Sequence, residues 1–357
     1  MNELCEAVGK VVDPLTKVDL LTLGCIEENR REEGFLTVKL PVPEYPYADI
    51  LLKEIKEVAA ECGKNSEVRF EEMNQEEIER FASVLKSRNA ALSSPGQDNK
   101  FTQVIAVASG KGGVGKSSVT VNLAVALAAL GKSVAVLDAD IYGFSVPAML
   151  GIKEPPVVVG NIVVAPFGYG VRCISMGFFV EEDVAIAWRG PMLHKTLQQF
   201  ITEVYFGDLD YLLIDMPPGT GDVALSVSQT VPGLESILVT TPQLSAQKVA
   251  QRAGALARQL KMPIKGVVEN MSYFRGDDGK RYDIFGSGGG KALAEKFGTP
   301  LLAEIPIVTS EEMGLDVGSP VAAIRPESEV GQIYAALAET MAAMKLRKIY
   351  KPELRLN

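Results

Sequence analysis

A doubly wound α/β fold with a mostly parallel sheet, preceded by a second, smaller N-terminal α/β domain, is predicted by three features of the chain. From residue 101 onward, strand-like and helix-like segments alternate, the pattern of a parallel sheet covered by helices. Several strand segments are apolar at almost every position, as expected when both faces of a sheet are buried. Between the first of them, residues 104–108, and an Ala/Val/Leu-rich helical stretch lies SGKGGVGKSS, residues 109–118.

In chain order, residues 1–73 read as the small α/β unit. Residues 18–26 and 34–40 have strand character, and 66–73 closes the unit as a third strand. Residues 46–62 carry Ile50, Leu51, Ile55, Val58 and Ala59 at helical spacing. Residues 74–88 form a charged helix, and NAALSSPGQDNK (89–100), small, polar and broken by Pro95 and Gly96, reads as a linker. The larger domain then spans 101–357. Its expected strands are 104–108, 133–138, 171–176, 211–216, 236–241, 266–271 and 301–305. Its expected helices are 117–130, 191–205, 246–260, 290–297 and a long closing helix over 327–347. No internal repeat is visible.

At 357 residues, two domains are a reasonable count, and 47% hydrophobic with 23% charged residues is the profile of a globular protein with ample core. A net charge of −9 without a long Lys/Arg run argues against a nucleic-acid partner. The N-terminus MNELCEAVGK lacks a basic start followed by an apolar block, and no apolar run approaches the roughly 18 residues of a membrane span. The expected location is therefore cytoplasmic. Cys5, Cys25, Cys62 and Cys173 include no C-x-x-C pair, and the sole histidine is His194. These are too scattered for a closed zinc site, and buried reduced thiols are expected. His194 is expected on a helix surface, with no triad logic around it.

The chemistry begins with residues 110–117, which fit G-x-x-x-x-G-K-[ST] at Gly110, Gly115, Lys116 and Ser117. Glycines let successive backbone N–H groups turn inward around an anion, and the following helix adds its positive end. The expected triphosphate-binding set is Gly110, Lys111, Gly112, Gly113, Val114, Gly115, Lys116, Ser117 and Ser118, with Lys116 on the terminal phosphates and Ser117 on Mg²⁺. SVAVLDADIYG (133–143) delivers Asp138 and Asp140 to a strand tip, where ligand sites of open parallel sheets lie. Hard carboxylate oxygens suit Mg²⁺ and its waters. Asp138 is thus expected near the metal through water, and Asp140 as the residue positioning the attacking water; the plainer reading of Asp138 is a cap. YLLIDMPPGTGD (211–222) sets four apolar residues before Asp215, a carboxylate for the metal's water shell. The turn at 216–219 is expected to bring backbone N–H groups to the terminal phosphate as a nucleotide-sensing switch; the alternative is plain structure. Lys111, in the plainest reading, is a solvated loop lysine.

GKGGVGKS resembles the deviant Walker A loop of the MinD/ParA class of ATPases. That resemblance implies that Lys111 reaches across a nucleotide-sandwich homodimer to the partner's phosphates, where a cation supplied in trans changes phosphoryl-transfer rates by roughly 10³–10⁵. The loop, LDADIYG, WRGPM (188–192), LLIDMPPGTGD, VTTPQ (239–243), VENMSYF (268–274), IFGSGGG (284–290) and EIPI (304–307) occur in one order. Together they resemble the Mrp/ApbC family of iron–sulfur cluster carrier ATPases over residues 101–323. The N-terminal unit is similar to the small iron–sulfur-assembly domain that often precedes such an ATPase, on VDPLTKVDLLTLGCIEE (12–28). The resemblance implies ATP hydrolysis with Mg²⁺, Asn270 as the adenine-recognising residue, a homodimer, and apoproteins or assembly factors as partners.

Two departures bear on the cluster. Typical carriers follow VENMSYF with a C-x-x-C pair; here the segment runs Arg275-Gly276-Asp277-Asp278-Gly279-Lys280. Four Cys thiolates are the ordinary ligand set. Relatives also often carry a cysteine where this chain reads PVPEYPYAD (41–49). Three expectations follow: an ATPase of iron–sulfur metabolism whose cluster ligands are altered or come from a partner, an ATP-driven dimerisation switch without a cluster, or a MinD-like membrane-associated positioning ATPase. The last would use the basic tail MKLRKIYKPELRLN (344–357), for which docking on the core is the plainer account.

Overall fold

A computed structural model of the chain describes residues 3–26, 35–62, 67–88, 102–140, 143–179, 190–219, 221–231, 233–309, 314 and 318–344. The expected linker at 89–100 and the tail beyond Met344 lie outside these residues. The chain divides into two compact units. One comprises Met1–Ser93, Pro156–Pro166 and Glu203–Asp208; the other comprises Ser94–Pro155, Phe167–Thr202 and Leu209–Asn357.

In the first unit, α1 (Glu3–Gly9) is followed by β1 (Phe35–Leu40), α2 (Ala48–Glu61), β2 (Glu67–Glu72) and α3 (Gln75–Arg88). β1 and β2 pair in parallel, Phe35 opposite Glu67, with α2 as the crossover. α2 buries Leu51, Ile55 and Ala59, one stripe at four-residue spacing. The expected strand at 18–26 is not formed: the segment is turns, with a single bridge between Val12 and Asp19. Local polar groups decide this. Asp13 Oδ2 accepts from Thr16 N at 2.6 Å and from Thr16 Oγ1, Asp19 Oδ1 accepts from Thr22 N, and Lys17 stands at φ 60°. Such side-chain bonds to nearby amides compete with a strand ladder. The unit extends past residue 73 to include α3 and also takes in β5 (Val157–Val159), β6 (Ile162–Val164) and β9 (Val204–Tyr205), a small sheet of order β5-β6-β9. α3 packs against it, with Ile78 and Ala82 beside Gly160.

The second unit is built on an eight-stranded sheet. Its strands are β3 (Gln103–Ser109), β4 (Val134–Asp138), β7 (Phe167–Gly168), β8 (Val171–Ser175), β10 (Tyr211–Asp215), β11 (Glu235–Thr240), β12 (Ile264–Glu269) and β15 (Leu301–Glu304). The order is β15-β12-β11-β3-β10-β4-β8-β7, parallel throughout except for the antiparallel edge strand β7. Helices α4 (Lys116–Ala129), α5 (Val146–Met149), α6 (Gly190–Glu203), α7 (Asp222–Thr230), α8 (Leu244–Gln259), α9 (Gly289–Phe297), α10 (Val321–Ile324) and α11 (Glu329–Ala343) surround it, and a two-stranded hairpin pairs β13 (Phe274–Arg275) with β14 (Arg281–Tyr282). All seven strands expected from the sequence form within two residues of their expected bounds. The long closing helix is α11, with residues 345–347 outside the described chain.

β3, β10, β4 and β11 are buried at nearly every position. α4 is buried around almost its whole circumference, which its composition allows because its interior is nearly all Val, Leu and Ala. It packs on β4 and β10 on one side and on α10 and α11 on the other. β3 has β10 on one side and β11 on the other, while the chain leaving β3 through α4 returns two strands away at β4. The carboxyl ends of the central strands therefore open onto a crevice.

Candidate functional site

Ser109, Asp138, Asp215, Thr240 and Glu269 end five neighbouring parallel strands, so one edge of the sheet collects the polar groups of the site. The strand register sets Asp215 opposite Val107 on one side and Asp138 on the other. Residues 110–115 leave β3 as a tight loop and enter α4. Gly113 and Gly115 stand at φ 74° and 77°, in the left-handed region where a Cβ is costly. Gly115 is also close-packed: a Cβ there would lie 2.1 Å from Asn270 Nδ2.

α4 delivers three side chains to one carboxylate. Asp215 Oδ2 accepts from Lys116 Nζ at 2.5 Å and from Ser117 Oγ at 2.6 Å, and Oδ1 accepts from Thr120 Oγ1 at 2.7 Å. Lys116 is 6% exposed and Asp215 fully buried. A buried ion pair persists only when hydrogen bonds satisfy its remaining valences, and the two hydroxyls do this. Thr120 was not singled out by the motif. Its signal was nonetheless present: a hydroxyl four residues after Lys116, on the same helix face, between two valines.

Asp138 is fully buried one strand over. Its Oδ1 accepts from Asp140 N at 3.2 Å, and its Oδ2 from Ser175 Oγ at 3.1 Å and Val146 N at 3.4 Å. Burial, and next the charge of Asp215, push its carboxyl up to about 7. These bonds tie the β4 tip to α5 and β8, which is the anchoring role of its plainer reading. Asp140 is nearly buried beside Gly143.

Lys111 is half-buried, and its Nζ donates to Gln243 Oε1 at 3.2 Å. It is therefore held within its own chain and not simply solvated. Asn270 is buried, and its Nδ2 donates to Val114 O at 3.0 Å. Its amide thus braces the loop from behind. Met271, the next residue, stands at φ 53°, a strained position for a side chain of its size.

The expected switch amides at 216–219 require a correction. Met216 N donates to Val107 O at 3.1 Å and Gly219 N to Ser109 O at 3.0 Å. Pro217 and Pro218 have no N–H. None of the four has an amide turned to a phosphate: two are bonded to β3 carbonyls, which stitches the turn to that strand, and two are prolines. Ser118 O accepts from Asn122 Nδ2 at 3.0 Å, and His194 is half-buried on α6.

Hard oxygen donors and one ammonium at the N-terminus of a buried helix fit an anion together with a small divalent cation. Among the described residues no group of three or more His, Cys, Asp or Glu could hold a metal ion by itself. A Mg²⁺ ion that keeps its waters and leans on one hydroxyl and the nucleotide needs no such cage. For an iron–sulfur cluster the donors do not fit: Cys5, Cys25 and Cys173 are buried, Cys62 is half-buried, and the β13–β14 hairpin at 274–282 carries no thiol. The hairpin is braced by salt bridges, with Arg275 Nε and Nη2 on Glu329 at 2.8 and 2.6 Å.

A strand, a glycine loop and a buried helix whose first residues grip the carboxylate of the neighbouring strand define a P-loop NTPase. The family model for ParA, described as the NUBPL iron-transfer P-loop NTPase, matches residues 100–342, and the chain belongs to that family. It is 40% identical over 353 residues to the iron–sulfur cluster carrier protein of Mycobacterium leprae, covering 96% of this chain and 92% of that one. It is 39% identical over 349 residues to the iron–sulfur cluster carrier protein of Bacillus subtilis, covering 96% and 97%. Among solved structures it is similar to a nucleotide-binding protein of Archaeoglobus fulgidus in complex with ADP, with 35% identity and a TM-score of 0.53 over 66% of this chain and 91% of that one. No described helix is long and apolar enough to cross a membrane.

Proposed function

We propose that the chain is an ATP-hydrolysing homodimer that drives delivery of iron–sulfur clusters to apoproteins, with thiolate ligands drawn from outside the hairpin that follows β12. The observation that carries the reading is the grip of Lys116, Ser117 and Thr120 on Asp215, in a chain similar along nearly its whole length to named cluster carriers.

In this reading the loop from Gly110 to Ser118 cradles the triphosphate, and Lys116 leaves Asp215 to neutralise its terminal oxygens. Ser117 holds Mg²⁺ directly, with Asp215 and Asp138 acting through water, and Mg²⁺ when bound supplies charge neutralisation of the phosphates. Phosphoryl transfer to water depends on alignment and charge stabilisation more than on covalent chemistry from the protein. Asp140 orients the attacking water, and Lys111 of a second copy adds the cation that one subunit lacks. Asn270 positions the adenine while bracing the loop at Val114.

The test is anaerobic incubation with iron and sulfide, followed by iron counting, an absorbance spectrum and transfer to an apo-acceptor with and without Mg·ATP. ATP-dependent activation of the acceptor supports the reading. Colourless, iron-free protein that activates no acceptor defeats it. One observation favours a second reading, the thiol-free hairpin: an ATP-driven dimerisation switch that serves cluster assembly as an adaptor. That reading requires ATP-dependent dimerisation in protein that binds no iron under any of these conditions.

A further inference from the structure

We propose that Gln243 is a positioning residue that tethers Lys111 inside its own subunit and so sets how readily this cation is given to a second copy. The proposal rests on the trans-acting role of Lys111 described above. Lys111 Nζ donates to Gln243 Oε1 at 3.2 Å, joining the glycine loop to the start of α8, 132 residues away in sequence.

Gln243 occupies the N-cap of α8, a position usually held by a short polar side chain that accepts from first-turn amides. Its side chain makes no capping hydrogen bond. Its backbone carbonyl does the helix's work by accepting from Gln247 N at 3.0 Å. The side-chain amide oxygen is therefore directed to the lysine and not to the helix end.

The two elements that meet at this contact are closely packed. Gly110 lies so close to α8 that a Cβ on it would stand 2.2 Å from Val249 C and 2.3 Å from Ala250 N. With loop and helix in backbone contact, release of Lys111 is a swing of its side chain and not a displacement of the loop. A neutral amide oxygen holds an ammonium more weakly than a carboxylate does. That is the strength suited to a tether that must open when a partner subunit presents phosphates. Replacing Gln243 with alanine removes the tether, while glutamate strengthens it.

The first measurement uses nucleotide-free full-length protein and does not depend on turnover. Pulsed amine acetylation is followed by mass spectrometry, with Lys111 scored against exposed Lys153 in the same molecule. Gln243→Ala is expected to speed Lys111 labelling about threefold to tenfold, and Gln243→Glu to slow it by a similar factor. Gln243→Asn, one methylene shorter and a good N-cap residue, is expected to behave as the alanine variant while protecting α8 from any capping loss. The second measurement is sedimentation velocity with Mg²⁺ and a non-hydrolysable ATP analogue. The alanine and asparagine variants are expected to dimerise at lower protein concentration than wild type, and the glutamate variant at higher.

Unchanged Lys111 labelling across the three variants overturns the tether. Altered labelling with one common dimerisation midpoint overturns its control of the second copy. If Lys111→Ala hydrolyses ATP as wild type does, the trans-acting role itself fails, and the labelling result still judges the tether separately.

Discussion

Replacing Gly110 and Gly112 by alanine, one at a time, makes a sharp test because the two glycines share a loop and differ only in what faces them. A Cβ at Gly110 would lie 2.2 Å from Val249 C, 2.3 Å from Ala250 N and 2.5 Å from Val249 O, all backbone of α8. Ordinary contact begins near 3.4 Å, so loop and helix must separate by about 1.2 Å (3.4 − 2.2), and no flexible side-chain end is present to give way. At Gly112 the nearest atom is Pro218 Cγ at 3.9 Å. Overpacking a well-packed site costs about 1–3 kcal/mol, and a backbone-on-backbone clash belongs at the upper end. For a unit of this size, about 3 kcal/mol lowers Tm by roughly 6–12 °C, whereas Gly112→Ala should move it by no more than about 2 °C. The assay is calorimetric or circular-dichroism melting of both variants beside wild type, followed by titration with Mg·ATP. Equal melting points for the two variants, with equal affinity for nucleotide, would refute the claim that the loop and α8 are in backbone contact.

Three further outcomes are expected. Lys116→Ala abolishes ATP turnover and strips Asp215 of its buried counter-charge, a loss of about 3–5 kcal/mol in urea unfolding; normal turnover in that variant contradicts the assigned role. Lys111→Ala keeps its affinity for Mg·ATP by calorimetry but loses most hydrolysis, on the order of the 10³-fold effect of a cation supplied in trans. In iodoacetamide labelling of the native protein, half-buried Cys62 reacts first. Cys5, Cys25 and Cys173 wait for unfolding, because all three are buried and burial pushes the Cys25 and Cys173 thiols up. Four thiols reacting at the rate seen in urea would show that the interior is not closed.

The central sheet was legible because its strands are apolar on both faces, and a run such as VIAVA can be little else when glycines follow it. The phosphate loop was legible because its chemistry demands fixed residue types at fixed spacing. What the sequence does not display has three physical causes: local side-chain competition for amides, pairings distant in the chain, and elements too short to carry a pattern. Residues 18–26 look like a strand until Asp13 and Asp19 are seen to take the local amides for turns. The amides of the 216–219 turn look available in the sequence, but Met216 N and Gly219 N are taken by Val107 O and Ser109 O, more than a hundred residues earlier. VTTPQ assigns Gln243 no role by itself, because the partner of that side chain, Lys111, lies 132 residues earlier. The short strands β5, β6 and β9, two or three residues each, are below the length at which alternation of apolar residues can be detected.

The first compact unit is not finished when its contiguous part has been made. It recruits Pro156–Pro166 and Glu203–Asp208 from the midst of the second, so a ribosome that has passed residue 93 must add 115 more before residue 208 exists. At about 5–20 residues per second that is a wait of roughly 6–23 s. During that interval the face of α3 that will meet β5 and β6 is without its cover. A gene truncated after residue 93 would encode a fragment lacking three of its strands, so the first unit cannot be completed by the contiguous segment alone.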